Sequence, residues 1–260
     1  MKSIPQEFVA LAHKLADTSG PVARRYFRQP LEIVSKADAS PVTIADRACE
    51  LEMRNIIEAQ FPDHGIYGEE YGVVRADSEY VWVLDPIDGT AAFITGMPVF
   101  GTLIALSRKQ KPILGVIDQP ISKERWIGGQ GIATTLNGSA VHTRDCRGIE
   151  NAALYITTPD MLTTNTERRR FARIKDAVKM TRFGGDCYSY GLLATGFVDL
   201  VVESQLQPYD FLALVGVVEG AGGVISDWDG RPLTINSGNQ VVAAATSKLH
   251  AEAIDLLSQK

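Results

Sequence analysis

Residues 80–90 read Tyr-Val-Trp-Val-Leu-Asp-Pro-Ile-Asp-Gly-Thr, an apolar run that leads into two carboxylates, a proline and a glycine. The apolar part, residues 80–84, is rich in β-branched and aromatic residues and predicts a short buried strand that stops at Asp85. Asp85 and Asp88 then lie three residues apart across Pro86. Two carboxylates this close together would repel each other unless a cation lay between them.

The six residues 85–90 offer both a metal site and an anion site. Mg²⁺ prefers oxygen ligands, usually carboxylates together with substrate phosphate and water. Asp85, Asp88 and the main-chain carbonyl of Ile87 are therefore candidate ligands. Gly89 and Thr90 open a predicted helical turn, whose free N–H groups suit a phosphate oxygen.

Two further acids lie elsewhere in the chain. Glu69 is in the sequence Gly-Glu-Glu before the strand, and Asp210 follows Pro208 and Tyr209 at the start of a predicted helix. Each also has a simpler interpretation, because paired glutamates are ordinarily solvated and an aspartate before a helix is a common N-cap.

Periodicity predicts one compact α/β unit, residues 1–260, with subdomains at about 1–147 and 148–260. Residues 5–27 follow helical spacing that Pro21 should kink or interrupt. A second helix has Asp46 in its first turn and ends before Phe61, and residues 103–106 and 113–117 predict a hairpin. Further on, strands and helices alternate, the predicted strands being 153–157, 180–183, 198–203, 224–226 and 241–245 and the predicted helices 166–177, 187–194, 211–221 and 248–257.

Composition argues against several classes of function. The chain is 45% hydrophobic, with 26 basic against 31 acidic residues and a net charge of −5, so no nucleic-acid partner is expected. No apolar run reaches about 18 residues, so no membrane span is expected. The first twenty residues lack the features of a signal peptide, which predicts a cytoplasmic protein. Three distant cysteines argue against a disulfide framework or a zinc site.

The motif DPIDGT at 85–90, with GEE upstream at 68–70 and YD followed by EGAGG far downstream, resembles the inositol monophosphatase family. The resemblance covers nearly the whole chain. It implies a mixed α/β protein with the layered αβαβα sandwich of the inositol monophosphatase and sugar phosphatase type. It also implies a homodimer that hydrolyses the phosphate ester of a small molecule.

The resemblance assigns metal ligands residue by residue. It implies that Glu69, Asp85 and the carbonyl of Ile87 bind a first Mg²⁺. Asp85, Asp88 and Asp210 would bind a second. Two or three Mg²⁺ per subunit would lower the pKa of a bound water and hold the phosphate for in-line attack, so no side chain has to act as a nucleophile.

The resemblance also assigns catalytic and phosphate-binding residues. Asp46 and Thr90 would orient the attacking water, with Glu69 assisting through its metal. The amides of Gly89 and Thr90 would hold the phosphate. Lys36 matches a lysine near the family's active site, without a defined role.

Residues 183–190, Phe-Gly-Gly-Asp-Cys-Tyr-Ser-Tyr, are similar to a variant in the histidinol-phosphate phosphatases of the family. L-Histidinol phosphate carries an ammonium and an imidazole, and the carboxylates of Asp186 and Glu203 would favour such a cation through charge-assisted hydrogen bonds. Tyr188, Tyr190 or Tyr209 would stack on it. The resemblance thus predicts a histidinol-phosphatase of histidine biosynthesis.

Several alternatives stay open. Asp186 would equally serve as a cap for the helix that begins near Cys187, and inositol-specific members also keep a glutamate at the position of Glu203. Departures from the family's motifs at Ala92, Tyr209 and Gly220 remove no metal ligand, but they leave the substrate open. The competing functions are hydrolysis of inositol-1-phosphate or another small phosphomonoester, a nucleotide 3′-phosphate among them. A regulatory binding protein on a phosphatase scaffold is the competing interpretation from another class.

Overall fold

The computed structural model describes residues 4–29, 33–35 and 41–259. Lys36 lies outside the described residues. The helices are α1 (Gln6–Tyr26), α2 (Ile44–Gln60), α3 (Thr90–Ile94), α4 (Asn165–Ala177), α5 (Tyr188–Ala194), α6 (Pro208–Gly220) and α7 (Ser247–Ser258). The strands are β1 (Ile33–Ser35), β2 (Pro41–Thr43), β3 (Gly65–Gly68), β4 (Gly72–Val74), β5 (Tyr80–Asp88), β6 (Gly101–Arg108), β7 (Lys111–Gln119), β8 (Glu124–Gly129), β9 (Ile132–Leu136), β10 (Ser139–Ala140), β11 (Ala153–Ile156), β12 (Met180–Phe183), β13 (Leu200–Glu203), β14 (Val224–Ser226) and β15 (Val241–Ala244).

The first helix forms because its apolar residues recur at helical spacing and bury one face, with Phe8, Leu11 and Leu15 in the core. It continues through Pro21, so the predicted interruption is not found. Proline removes one helical hydrogen bond, and burial on both sides of it, as far as Ala23, stabilises the continuous helix. None of the described helices is both long enough and apolar enough to cross a membrane.

Two sheets form the framework. The larger has the order β10-β9-β8-β7-β6-β5-β3-β4 and is antiparallel except for the parallel pair β3 and β5. The predicted hairpin is confirmed as β6 and β7. The smaller sheet has the order β12-β11-β13-β15-β14, with β11 parallel to both its neighbours and β15 antiparallel to both of its own.

Three buried clusters show how the layers pack. Residues of α1 and α2, among them Leu15 and Met53, contact one face of the larger sheet. Residues of α5 and α6, among them Leu193 and Phe211, pack between the two sheets. The outer face of the smaller sheet is covered by α4 and α7. The layer order is therefore αβαβα, as the resemblance implied.

Candidate active site

Strand β5 continues through the acidic motif as far as Asp88, beyond the end that the sequence predicts. The prediction that the strand stops at Asp85 is wrong, because pairing with β6 resumes at Asp88, opposite Gly101. Between these two acids β5 has one residue more than β6, which is a β-bulge. Pro86 lies inside this bulge, where its missing N–H breaks no ladder bond. The bulge keeps both carboxylates on a rigid strand.

The turn after β5 is set by Gly89. Its φ of 81° is left-handed, a conformation that glycine adopts without the steric cost other residues incur. Gly89 is the N-cap of α3, which confirms the predicted helical turn. The Thr90 hydroxyl donates to the Ile87 carbonyl at 3.2 Å, so this hydroxyl contacts one of the predicted ligand oxygens.

Asp85, Asp88 and Asp210 come together at the mouth of this turn. One carboxylate oxygen of each lies within 4.8 Å of the others. Asp210 arrives from the first turn of α6, where its carboxylate accepts a hydrogen bond from the N–H of Gln207 at 2.6 Å. Gln207, and not Asp210, is the N-cap of that helix. Asp210 thus stabilises the helix start and faces the acidic cluster at the same time.

Burial raises the pKa of each acid in this cluster, and the charges of neighbouring acids raise it further. For Asp85, burial is the largest cause, followed by the charges of Glu69, Asp88 and Asp210. For Asp210, burial raises the pKa to about 7, although hydrogen bonds with Gln207 and Asp85 oppose the shift. Without a cation the site therefore disfavours its own ionised form.

The donor set fits a hard divalent cation. Asp85 is 1% exposed, and among the described residues its Oδ1 is a buried oxygen without a hydrogen-bond partner. A buried carboxylate oxygen in that position requires a cation or an ordered solvent molecule. All the converging ligand atoms are oxygens, which suits Mg²⁺ better than a softer metal.

The remaining predicted metal and catalytic residues surround the cluster. Glu69 and Asp46 lie near enough to Asp85 for their charges to raise its pKa. The Glu69 N–H donates to the carbonyl of Leu84 at 3.2 Å, which fixes this loop against β5. Tyr209 packs edge-on against Tyr67, with ring centroids 6.1 Å apart.

A cavity of about 130 Å³ adjoins the cluster, and its lining includes Asp88, Asp186, Glu203 and Asp210. It therefore brings both predicted substrate-binding acids next to the metal ligands. A larger cavity, about 270 Å³, contacts α1 on the other side of the sheet. Its acids are already paired with Arg125, so we assign the chemistry to the smaller cavity.

Glu203 is buried and held from two sides. The N–H of Thr157 donates to one of its oxygens at 2.9 Å, and the Tyr190 hydroxyl donates to the other at 2.8 Å. Burial raises the pKa of Glu203, and these two hydrogen bonds oppose the shift. Its geometry is fixed before any ligand arrives.

Asp186 has a left-handed φ of 42° and is not a side-chain cap. The helix cap is Cys187, without a side-chain hydrogen bond, while the Asp186 main-chain carbonyl accepts from Ser189. Its carboxylate lies against Gly89, where an added Cβ would come within 2.9 Å of the Asp186 Cγ. Burial, followed by the charge of Glu203, raises the pKa of Asp186 to about 6. The carboxylate is therefore available to a ligand.

The tyrosines separate into different environments. Tyr188 points away from the cavity, because its hydroxyl donates to Glu124 at 2.7 Å and its ring packs edge-on against Trp126. Its predicted stacking role is thus not supported. Tyr190 lines the cavity, buried and bonded to Glu203.

Three residues that hold the site residues in place could not be identified from the sequence. The main-chain N–H of Thr157 donates to Glu203, and the Thr157 hydroxyl accepts a hydrogen bond from the N–H of Asp186 at 3.1 Å. The main-chain N–H of Cys187 donates to Asp88 at 2.7 Å. Glu50, on α2, bonds to the loop that carries Glu69. Each acts across sequence-distant elements, so no local spacing could have identified it.

Comparison with known proteins gives matches along nearly the full length. The sequence model of the inositol monophosphatase family matches residues 4–260. Bifunctional phosphatase IMPL2, chloroplastic, of Arabidopsis thaliana is 53% identical over 259 residues, which covers 96% of this chain and 75% of that protein. Histidinol-phosphatase of Chlorobaculum parvum is 34% identical over 235 residues, 90% of each chain. The solved structure of an inositol monophosphatase from Zymomonas mobilis has a TM-score of 0.91 at 47% identity and covers 99% of this chain and 100% of that one.

Proposed function

The chain belongs to the inositol monophosphatase family of phosphatases, and from that premise we propose that it is a Mg²⁺-dependent histidinol-phosphatase. The reaction is hydrolysis of L-histidinol phosphate to L-histidinol and phosphate. The observation that carries the proposal is the pair of acids, Asp186 and Glu203, that line the cavity beside the three-acid cluster.

Five residues of the chain would supply the metal ligands. Glu69, Asp85 and the Ile87 carbonyl would hold one metal ion, and Asp85, Asp88 and Asp210 another. Mg²⁺, when bound, supplies positive charge that polarises the phosphate and makes water more acidic.

Binding the phosphate and orienting the water fall to other groups. The amides at the start of α3, those of Gly89 and Thr90, would hold the phosphate oxygens. Asp46 and the Thr90 hydroxyl would orient the attacking water.

The positive groups of the substrate explain why Asp186 and Glu203 lie beside the three-acid cluster. Two carboxylates in one small cavity favour a cationic ligand, because a cation offsets both burial and mutual repulsion. Thr157 and Tyr190 hold Glu203 in place, so little ordering is needed on binding. The similarity to the histidinol-phosphatase of Chlorobaculum parvum supports the same substrate.

Inositol-1-phosphate is the alternative substrate. The Zymomonas mobilis structure is that of an inositol monophosphatase, and a buried glutamate such as Glu203 would also accept hydrogen bonds from hydroxyls. The homodimer and the cytoplasmic location stay predictions. The name of the Arabidopsis relative places that protein in the chloroplast.

Phosphate release from L-histidinol phosphate and from inositol-1-phosphate, measured side by side, tests the proposal. We expect kcat/KM for histidinol phosphate to be at least about tenfold higher, since one charge-assisted hydrogen bond contributes about 1.5–3 kcal/mol. Chelation of Mg²⁺ should abolish both activities. A preference for inositol-1-phosphate would contradict the assigned substrate, and turnover of neither ester would favour the regulatory alternative.

Asp186→Asn is expected to lower kcat/KM for L-histidinol phosphate by about 10- to 100-fold, the loss of one charge-assisted hydrogen bond. Asparagine has the same shape and tolerates a left-handed φ, so the backbone should be retained. The value for inositol-1-phosphate should change little. Asp176→Asn, at an exposed position on α4, is the control. Equal losses on both substrates would show that Asp186 does not recognise the cation.

A further inference from the structure

Glu50 is a buried carboxylate outside the acidic cluster, on the second turn of α2. It accepts hydrogen bonds from the main-chain N–H groups of Glu70 at 2.7 Å and Tyr71 at 3.2 Å. It also forms an ion pair with Arg54 at 2.7 Å, and its side chain is 0% exposed. A buried acid needs such partners, and here two of them are the residues that follow Glu69.

Arg54 continues the contact along the same loop. Its guanidinium donates to the main-chain carbonyl of Gly72 and lies over the ring of Tyr71, 5.9 Å from the centroid. Before Glu69, Gly68 lies so close to Glu50 that an added Cβ would be 1.9 Å from its Oε1. Glu50 and Arg54 therefore hold the main chain on both sides of Glu69.

Glu69 itself is fixed to the strand that bears the metal motif. Its N–H donates to the Leu84 carbonyl, directly before Asp85. The position of the Glu69 main chain next to β5 thus depends on two anchors, the Leu84 bond and the Glu50–Arg54 pair.

We infer that Glu50 is a positioning residue that sets the metal affinity of the site through the loop at Glu69. The inference rests on the proposed function, because it requires Glu69 to be a metal ligand. Partners that orient a ligand without touching the metal typically change metal affinity by about 10- to 100-fold when they are replaced. Glu50 has such a role, because it does not touch the metal site itself. It acts through hydrogen bonds to the main chain of the loop that carries Glu69.

Glu50→Gln tests the inference, with Mg²⁺-dependent thermal stabilisation as a readout independent of activity. The amide keeps the shape and one accepting oxygen, but its NH₂ group replaces the other oxygen and cannot accept the hydrogen bond that Glu70 or Tyr71 donates there. We expect the Mg²⁺ concentration for half-maximal rise in Tm to increase by about 10- to 100-fold. Excess Mg²⁺ should restore most of kcat. Asp118→Asn is the matched control, since Asp118 is also a buried acid paired with an arginine, Arg125; it should lower Tm without moving the Mg²⁺ midpoint.

The outcomes separate the two claims. A wild-type protein that Mg²⁺ does not stabilise would contradict the proposed function, and the inference with it. A wild-type response with an unchanged midpoint in Glu50→Gln would overturn the inference alone and leave Glu50 a purely structural residue. If Glu50→Gln does not fold, Arg54→Lys decides, because it keeps the charge but loses the contacts with Gly72 and Tyr71; an unchanged midpoint there would likewise overturn the inference.

Discussion

Replacement of Asp85 by Asn is expected to lower kcat for phosphate release by about 1000-fold or more, while the protein stays folded. Asp85 is the acid shared by both predicted metal sites, and it is the most deeply buried of the three clustered carboxylates. Loss of a ligand that supplies several kcal/mol of transition-state stabilisation, taken as about 4 kcal/mol, corresponds to about three orders of magnitude in rate.

The same variant should respond differently to metal in unfolding experiments. Burial and the charges of Glu69, Asp88 and Asp210 disfavour the ionised form of Asp85. Asparagine removes that unfavourable charge, so the metal-free variant should be at least as stable as the metal-free wild type. Mg²⁺ should raise the Tm of the wild type and leave that of Asp85→Asn nearly unchanged.

A matched control distinguishes loss of metal from loss of stability. Asp118→Asn also removes a buried carboxylate, but one that is paired with Arg125 and is not part of the three-acid cluster. It should lower Tm, since Arg125 loses a buried partner, and keep kcat. Near-normal kcat in Asp85→Asn, or a Tm that still rises with Mg²⁺, would contradict the metal assignment.

Much of the fold could be predicted because its signals are local. The hairpin of β6 and β7 shows as two apolar runs around a polar turn, and α4 and α7 lie within one residue of their predicted ends. The end of β5 could not be predicted. Pairing of Asp88 with Gly101 across a bulge depends on where β6 lies, and no pattern within residues 80–90 carries that information.

In the candidate site, too, only the features that depend on neighbouring residues in the sequence could be predicted. Asp85 and Asp88 are three residues apart, so their proximity could be inferred directly. Asp210 reaches them only because α6 packs between the two sheets, and the family resemblance supplied what periodicity could not. The anchors on Glu203 and on the Glu69 loop are main-chain hydrogen bonds between distant elements. Such bonds leave no trace in residue spacing.

Gly89→Ala is expected to lower kcat/KM by about 100-fold, the loss that a displacement of about 1 Å at a reacting centre typically causes. An alanine at a φ of 81° is strained, and its Cβ would come within 2.9 Å of the Asp186 Cγ and 3.0 Å of its Cβ. Either the phosphate-binding turn or Asp186 must therefore move. Both belong to the proposed substrate site, so either movement should reduce turnover of L-histidinol phosphate.

Two further variants distinguish strain from the clash. Gly131→Ala has the same kind of strain, with a φ of 74°, but nothing lies within 4 Å of its added Cβ. It should cost about 1 kcal/mol of stability and leave kcat/KM unchanged. The double variant Gly89→Ala with Asp186→Gly removes the clashing side chain and should recover part of the activity on inositol-1-phosphate, which does not need the Asp186 charge. If Gly89→Ala is no less active than Gly131→Ala, the turn at Gly89 does not position the phosphate.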